Sequence, residues 1–300
     1  MPFAHYRRWS SHLVVPALCL AASLSAVAGD TPSVAPVELV RKTVQNEMKS
    51  SHDRAKYMFR DEKTGPKGSE TKLLVETRDA MAGMLIAING KPLNAAQKQA
   101  EMARLQHLMS DPEALAKKKK QEKDDAEHTD RIMRALPDAF LYEYDGTVLG
   151  SNVIGKKGDE LVRLKFRPNP KYDPPTHTEQ VLSGMQGTML IDEDSCRIAK
   201  IDGVLVKDVG FGWGILGHLD KGGHFLVEQA NVGDNHWEMT HMKLQFTGKI
   251  LLFKSLNIQS NEVYGDFRPA PENLTFAQGI EFLKKQETQV AENEKNGGLR

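Results

Sequence analysis

Between Phe140 and Arg268 the chain reads as a succession of short strands separated by turn residues, and this stretch limits the fold more than any other feature. Leu161–Arg167 shows the pattern clearly. Val162, Leu164 and Phe166 alternate with Leu161, Arg163 and Lys165, the period of two of a half-buried strand. Similar runs are Phe140–Tyr144, Gly187–Ile191, Arg197–Ile201, Val204–Val209, Phe225–Ala230, Trp237–Phe246, Ile250–Ile258 and Val263–Phe267. Asp145-Gly146, Asp192-Glu193-Asp194-Ser195, Asp202-Gly203, Lys221-Gly222-Gly223 and Thr247-Gly248-Lys249 read as turns between them. A proline-rich loop, Pro168 to Pro175, interrupts the series. Strands joined by connections this short pair antiparallel, so a long meander is predicted. Its edges would be exposed unless it curls or is covered.

Helical patterns surround the meander. Val37, Val40, Val44 and Met48 recur at three and four residues. Strand-like runs follow at Ala55–Glu62, Thr71–Thr77 and Met81–Ile88, with turns at Thr64–Gly68, Arg78-Asp79 and Asn89-Gly90. Asn94 caps a second helix, on which Met102, Leu105 and Met109 share a face. Asp111-Pro112 restarts it, with an acidic cap and proline at the first helical position. Lys117–Lys120 then meet Glu122, Asp124, Asp125 and Glu127, and the four-residue spacing predicts pairs on a solvated face. Ile132, Met133 and Leu136 make a short apolar end that Pro137 is expected to close. Thr275 caps a last helix with Phe276, Ile280 and Leu283 on one face. Helices inserted among antiparallel strands predict the α+β class: one large curved sheet with helices packed across its open face.

The 300 residues suffice for a sizeable core, and 40% hydrophobic with 27% charged residues is a globular composition. The N-terminus is patterned for export. Arg7 and Arg8 precede an apolar run from Leu13 to Val27, and Ala26-Val27-Ala28 supplies small residues before a cut expected after Ala28. The run is shorter than a membrane span. The chain is thus expected to be periplasmic or secreted, with a signal at 1–28, one domain at 29–290 carrying a helical insert at 94–136, and a polar, flexible tail at 291–300. Lys+Arg and Asp+Glu both number 40, and removing Arg7 and Arg8 leaves the mature chain at −2. Nucleic acid, which requires concentrated positive charge, is excluded as a partner. Cys196 would be the one cysteine left, so no internal disulfide is expected.

No residue constellation points to chemistry. His236 and His241 flank Glu238 five residues apart, which on a strand sends them to opposite faces. His218, Asp220 and His224 surround a glycine turn, and Asp192, Glu193 and Asp194 lack the spacing of a calcium loop. Ser195 and Cys196 have no histidine beside them, and Gly210-Phe211-Gly212-Trp213-Gly214 carries aromatic bulk where a phosphate cradle requires bare backbone. No catalytic residue, metal or cofactor is assigned.

What remains is apolar bulk on a curved sheet. Met84, Ile86, Phe140, Leu164, Phe166, Met189, Ile191, Trp213, Phe225 and Trp237 are candidates for core, with some of them lining a ligand cavity. The whole pattern resembles the LolA/LolB-like outer-membrane lipoprotein-sorting superfamily of periplasmic lipoprotein carriers. The resemblance lies in the exported start, the Val37–Met48 helix, the helices inserted after Met81–Ile88, and the meander. Within the meander it rests on Gly158-Asp159-Glu160-Leu161-Val162-Arg163-Leu164, Gly187–Asp192 and Arg197–Gly203. It implies an incompletely closed β-barrel, lidded by helices, around a hydrophobic cavity that holds acyl chains. The function expected is non-catalytic binding of lipid or lipoprotein acyl chains, in lipoprotein sorting or envelope lipid transport, with transient membrane contact. The alternatives are an envelope sensor or interaction module that binds a protein partner, and, third, a hydrolase using His218, His224 or His236.

Overall fold

A computed structural model describes residues 34–50, 57–211, 217–250 and 254–297. The expected signal segment and Trp213 lie outside the described residues. The fold is α+β: five α-helices and one open, curved antiparallel sheet of thirteen strands among the described residues. The chain runs α1 (Pro36–Ser50), β1 (Tyr57–Gly65), β2 (Gly68–Val75), β3 (Ala82–Ile88), β4 (Lys91–Pro92), α2 (Ala95–Ser110) and α3 (Pro112–Ala139). The meander follows as β5 (Phe140–Leu149), β6 (Glu160–Pro168), the short α4 (His177–Gln180) with a 3-10 turn (Val181–Gly184), β7 (Met185–Asp192) and β8 (Arg197–Leu205). Then come β9 (Val209–Phe211), β10 (Gly217–Leu219), β11 (His224–Gly233), β12 (His236–Ile250), β13 (Lys254–Pro269) and α5 (Phe276–Gly297).

Strand order across the sheet is β4-β3-β2-β1-β13-β12-β11-β8-β7-β6-β5, with β9 and β10 as a branch on β12. The first hairpins therefore attach to the last strand, through β1 and β13. The end strands β4 and β5 do not pair with each other, so the sheet stays open.

Several dipeptides read as turns are instead devices within strands. At Asp145-Gly146 strand β5 continues through a bulge between Tyr144 and Thr147. Gly146 takes φ +86°, and the Asp145 carboxylate pairs with Arg163 and Lys165 on the neighbouring strand. At Asp202-Gly203 strand β8 also runs on, with Gly203 paired to Gly187 of β7. A Cβ on Gly187 would strike the Asp202 carbonyl, and one on Gly203 would lie 2.8 Å from Met185 Cε and 3.3 Å from Phe166 Cζ. Gly187 leaves room for the backbone of β8, and Gly203 for the side chains of Met185 and Phe166 that lie across the strands. Gly187→Ala is expected to cost at least ~3 kcal/mol, read as a lowered urea midpoint, because its Cβ meets backbone. Gly248 sits inside β12, where its bare Cα lets β10 approach; a Cβ there would strike the His218 carbonyl. The Pro66-Lys67 and Asn89-Gly90 hairpins form as expected, the latter with φ of +50° and +70°.

Pro137 does not end its helix. Helix α3 runs to Ala139 and passes straight into β5 without a loop. Its last carbonyls find partners outside the helix. Tyr142 Oη donates to the Leu136 carbonyl at 2.8 Å, Asn169 Nδ2 to that of Asp138 at 2.8 Å, and Asn169 N to that of Ala139 at 2.8 Å. Burial pushes the Tyr142 hydroxyl up, which keeps it a donor. The lysine-rich face pairs as predicted, Lys118 with Glu122 at 2.7 Å and Lys120 with Asp124 at 2.6 Å. Capping boxes start α2 at Asn94 and α5 at Thr275.

Packing among the described residues divides into three clusters. The largest joins α1, the end of α3 and strands β5 to β8, with Phe246 of β12. A second packs Met58, Leu73, Val75 and Met84 against Leu105 of α2 and Phe276, Ile280 and Leu283 of α5. A small third one holds Leu161, Leu190, Ala199 and Trp237.

One polar group is buried on β1. The Asp61 carboxyl is pushed up to about 6, first by burial and then by the charge of Glu262, with Lys72 and Lys63 opposing. Asp61 Oδ1 has no hydrogen-bond partner among the described residues. A carboxyl raised on folding favours the folded state at acidic pH, and that contribution is lost as pH climbs from ~4 through about 6. Asp61→Asn is therefore expected to be near neutral at pH 4 and to stabilise by about 1–2 kcal/mol at pH 8, measured by urea unfolding at both values.

Candidate functional site

A cavity of about 660 Å³ opens between the largest cluster and the helices above it. Its wall comes from seven consecutive strands of the sheet, β5 through β8 and β11 through β13, with Phe211 and Leu219 of the branch strands β9 and β10. Phe140, Phe166 and Met189 line one end, and Phe225, Val227, Leu244 and Phe246 continue it. Met239 and Ile258, which are exposed, mark the open side. The strand period explains the apolar wall: Phe225 and Val227 on β11 share a face, and Phe225 pairs in register with Leu244.

Helices supply the roof. Ile132, Met133 and Leu136 of α3 face the space, with Glu47 and Met48 of α1 and Val181 and Leu182 of the 3-10 turn. Polar groups gather at the seam where α3 and α4 lie against each other: His128, Thr129 and Asp130 from one, His177 and Thr178 from the other. Thr176 caps α4 by accepting from the Thr178 amide at 3.1 Å, which fixes that seam. His177 Nδ1 is 3.2 Å from Gln180 Oε1, and its ring meets Phe211 edge to face.

The C-terminal turn of α1 is locked to the sheet by two adjacent residues. Asn46 Nδ2 donates to the carbonyls of Ser195 and Cys196, each at 3.1 Å. Glu47 Oε1 accepts from Arg197 Nε at 2.9 Å and from the Ile198 amide at 2.7 Å, with both side chains of the ion pair buried. The Arg197 guanidinium also lies 5.5 Å from the Trp237 ring centroid. The sequence stripe Val37-Val40-Val44-Met48 thus captured only part of the buried face, which is Leu39, Val40, Thr43, Val44 and Glu47. A glutamate at a helical core position could have signalled a buried ion pair, but its partner is about 150 residues away.

Of the ten candidate residues, Phe140, Phe166, Met189 and Phe225 line the cavity. Leu164 and Ile191 belong to the filled part of the same cluster, fully buried. Met84 and Ile86 lie elsewhere, beneath α2 and α5, because β3 is near the opposite end of the strand order from β5. Trp237 packs with Leu161, whose alternation with Val162 turns it away from the cavity. Trp213 is outside the described residues. Sequence reasoning missed the roof, although Ile132-Met133-Leu136 stood out as an apolar end on an otherwise charged helix.

The histidines weighed for chemistry make structural contacts. His224 Nε2 lies 2.8 Å from Asp202, His218 3.2 Å from Asp220, and His236 against the Tyr57 ring. His241 bridges Glu228 and Asn261 at 3.1 and 2.8 Å. Asp192 Oδ1 accepts from the Ser195 amide at 2.8 Å and so closes the β7–β8 turn. Among the described residues no three His, Cys, Asp or Glu side chains gather as a metal site. Cys196 is a free thiol. No protein-family model matches the chain, and no curated protein matches it.

Proposed function

We propose that this protein is an exported, non-catalytic carrier that holds acyl chains of lipids or lipoproteins in the cavity between its sheet and helices. The observation that carries the reading is the cavity: about 660 Å³ bounded largely by methionine, phenylalanine and aliphatic side chains from nine strands and four helical segments among the described residues. Apolar space of this size inside a folded protein exposes hydrocarbon to water unless something apolar occupies it. Methionine at Met48, Met133, Met185, Met189 and Met239 suits contact with flexible chains. The reading is supported by the export pattern at residues 1–28 and the resemblance to lipoprotein carriers, and it puts the activity in the periplasm or outside the cell, with transient membrane contact when cargo is exchanged.

Native mass spectrometry after detergent-free purification is the test. The expected spectrum shows the mature chain, beginning at Gly29, with a lipid adduct. A ligand-free chain that also fails to take up a fluorescent fatty acid would remove the proposal.

A further inference from the structure

We infer that the sheet carries a second binding site, for an organic ammonium ion, on the face of β1, β2 and β13 that holds Asp61, Glu262 and Phe59. It goes beyond the acyl-chain reading and stands without it, since none of its residues lines the cavity.

Strand register brings the charged groups together. Asp61 on β1 pairs with Lys72 on β2 and with Tyr264 on β13, and Lys63 pairs with Glu70 and Glu262. Residues paired across strands point to one side of a sheet, so these six side chains share a face. Helices α2 and α5 pack on the opposite face, against Met58, Leu73 and Val75.

On the shared face three carboxylates stand against two ammonium groups. Lys63 Nζ reaches Glu262 Oε1 at 2.6 Å, and Lys72 Nζ reaches Glu70 Oε2 at 2.8 Å, so both lysines are taken. Glu262 also accepts from Ser260 Oγ at 2.6 Å and from Tyr264 Oη at 2.7 Å. Asp61 is the carboxyl left over. It is only 7% exposed, and its Oδ1 accepts no hydrogen bond among the described residues. Arg60, beside it on β1, points to the other face and pairs with Glu62 at 2.8 Å. A buried carboxylate is costly without a counter-charge, so the group the face lacks is one cation.

The rings beside Asp61 decide what kind of cation. Phe59, two residues earlier on the same face, stacks on Phe267 at 5.6 Å and meets Tyr264 edge to face at 6.1 Å. All three rings are half-buried. Aromatic rings attract an ammonium and pack against its carbon substituents. A metal ion requires more ligands than this face offers, and no three acidic, histidine or cysteine side chains gather as a metal site among the described residues. The Lys63 and Lys72 side chains are 49% and 33% exposed, so their flexible stems can swing aside to admit the ligand.

NMR titration of the isotope-labelled mature protein with benzylammonium at pH 8 is the test, with benzyl alcohol as the neutral control and benzoate as the anionic one. Saturable shifts are expected at the Asp61, Lys72 and Tyr264 amides. Benzylammonium is expected to bind at least ~tenfold more tightly than either control, the worth of one charge-assisted contact. Asp61→Asn removes a buried charge and should stay folded, yet lose that advantage. Lys72→Met removes a resident competitor and should bind the probe more tightly. Lowering the pH to 5 should weaken binding about tenfold, because the Asp61 carboxyl is pushed up to about 6 by burial. The other carboxyls facing it stay ionised. Glu70 is held low by its hydrogen bond from Lys72, and at Glu262 the raising effect of burial is outweighed by hydrogen bonds from Lys63, Ser260 and Tyr264. Benzyl alcohol binding as tightly as the cation, an Asp61→Asn protein that binds it undiminished, or shifts confined to cavity residues would each overturn the inference.

Discussion

Replacing Glu47 with alanine is expected to lower the unfolding free energy by about 3–5 kcal/mol, because Arg197 is left charged and buried without its counter-ion. The same substitution also orphans the Ile198 amide, which Glu47 accepts at 2.7 Å. Urea unfolding at neutral pH is the measurement, with the midpoint falling and the slope unchanged. Glu47→Leu combined with Arg197→Met is expected to lose far less than either single change, since an apolar pair removes both desolvation penalties together. A loss below about 1 kcal/mol for Glu47→Ala would mean that Arg197 reaches solvent or another partner, and that α1 is held down chiefly by its apolar stripe. The consequence for the cavity is direct. Glu47 and Met48 line it, so freeing this turn of α1 opens the roof.

Filling the cavity is the second large effect. Val227→Trp together with Leu244→Trp places two indoles in the open part of the space, where both native side chains are half-buried. Each substitution removes room for roughly two to three methylenes. At about fourfold per methylene, the four to six methylenes lost in the double variant should lower acyl-chain affinity by about 250-fold or more. The thermal midpoint should change little, because the added rings occupy existing free volume without displacing packed neighbours. Uptake of a fluorescent fatty acid and a thermal scan on the same preparation read both quantities. Undiminished uptake would mean that the ligand does not use this space.

The strand content, the helix starts and the α+β class were legible because each rests on a local signal. Val162, Leu164 and Phe166 alternate within one strand, and all three are buried. Asn94 and Thr275 cap helices because a short polar side chain can reach an amide three residues on. Turn dipeptides were less reliable. Asp145-Gly146, Asp202-Gly203 and Thr247-Gly248 have turn composition, yet the strands run through them. In each, the glycine answers a neighbour: a bulge opposite Arg163, the side chains of Met185 and Phe166, and the close backbone of β10. A glycine required by a partner strand looks in sequence the same as one required by a turn.

Local periodicity determines which residues are apolar and which of them share a strand face or a helix stripe, and that was enough to anticipate a curved sheet with helices over it. Which apolar residues surround free space was decided only when the chain closed on itself. The pairing of β1 with β13 carried Met84 and Ile86 away to a second core, and the packing of α3 over β5 to β8 brought Ile132, Met133 and Leu136 opposite Phe166 and Met189. Side-chain alternation is written in neighbours two residues apart, whereas a cavity is the volume left between segments distant in the chain, and no short-range pattern encodes that distance.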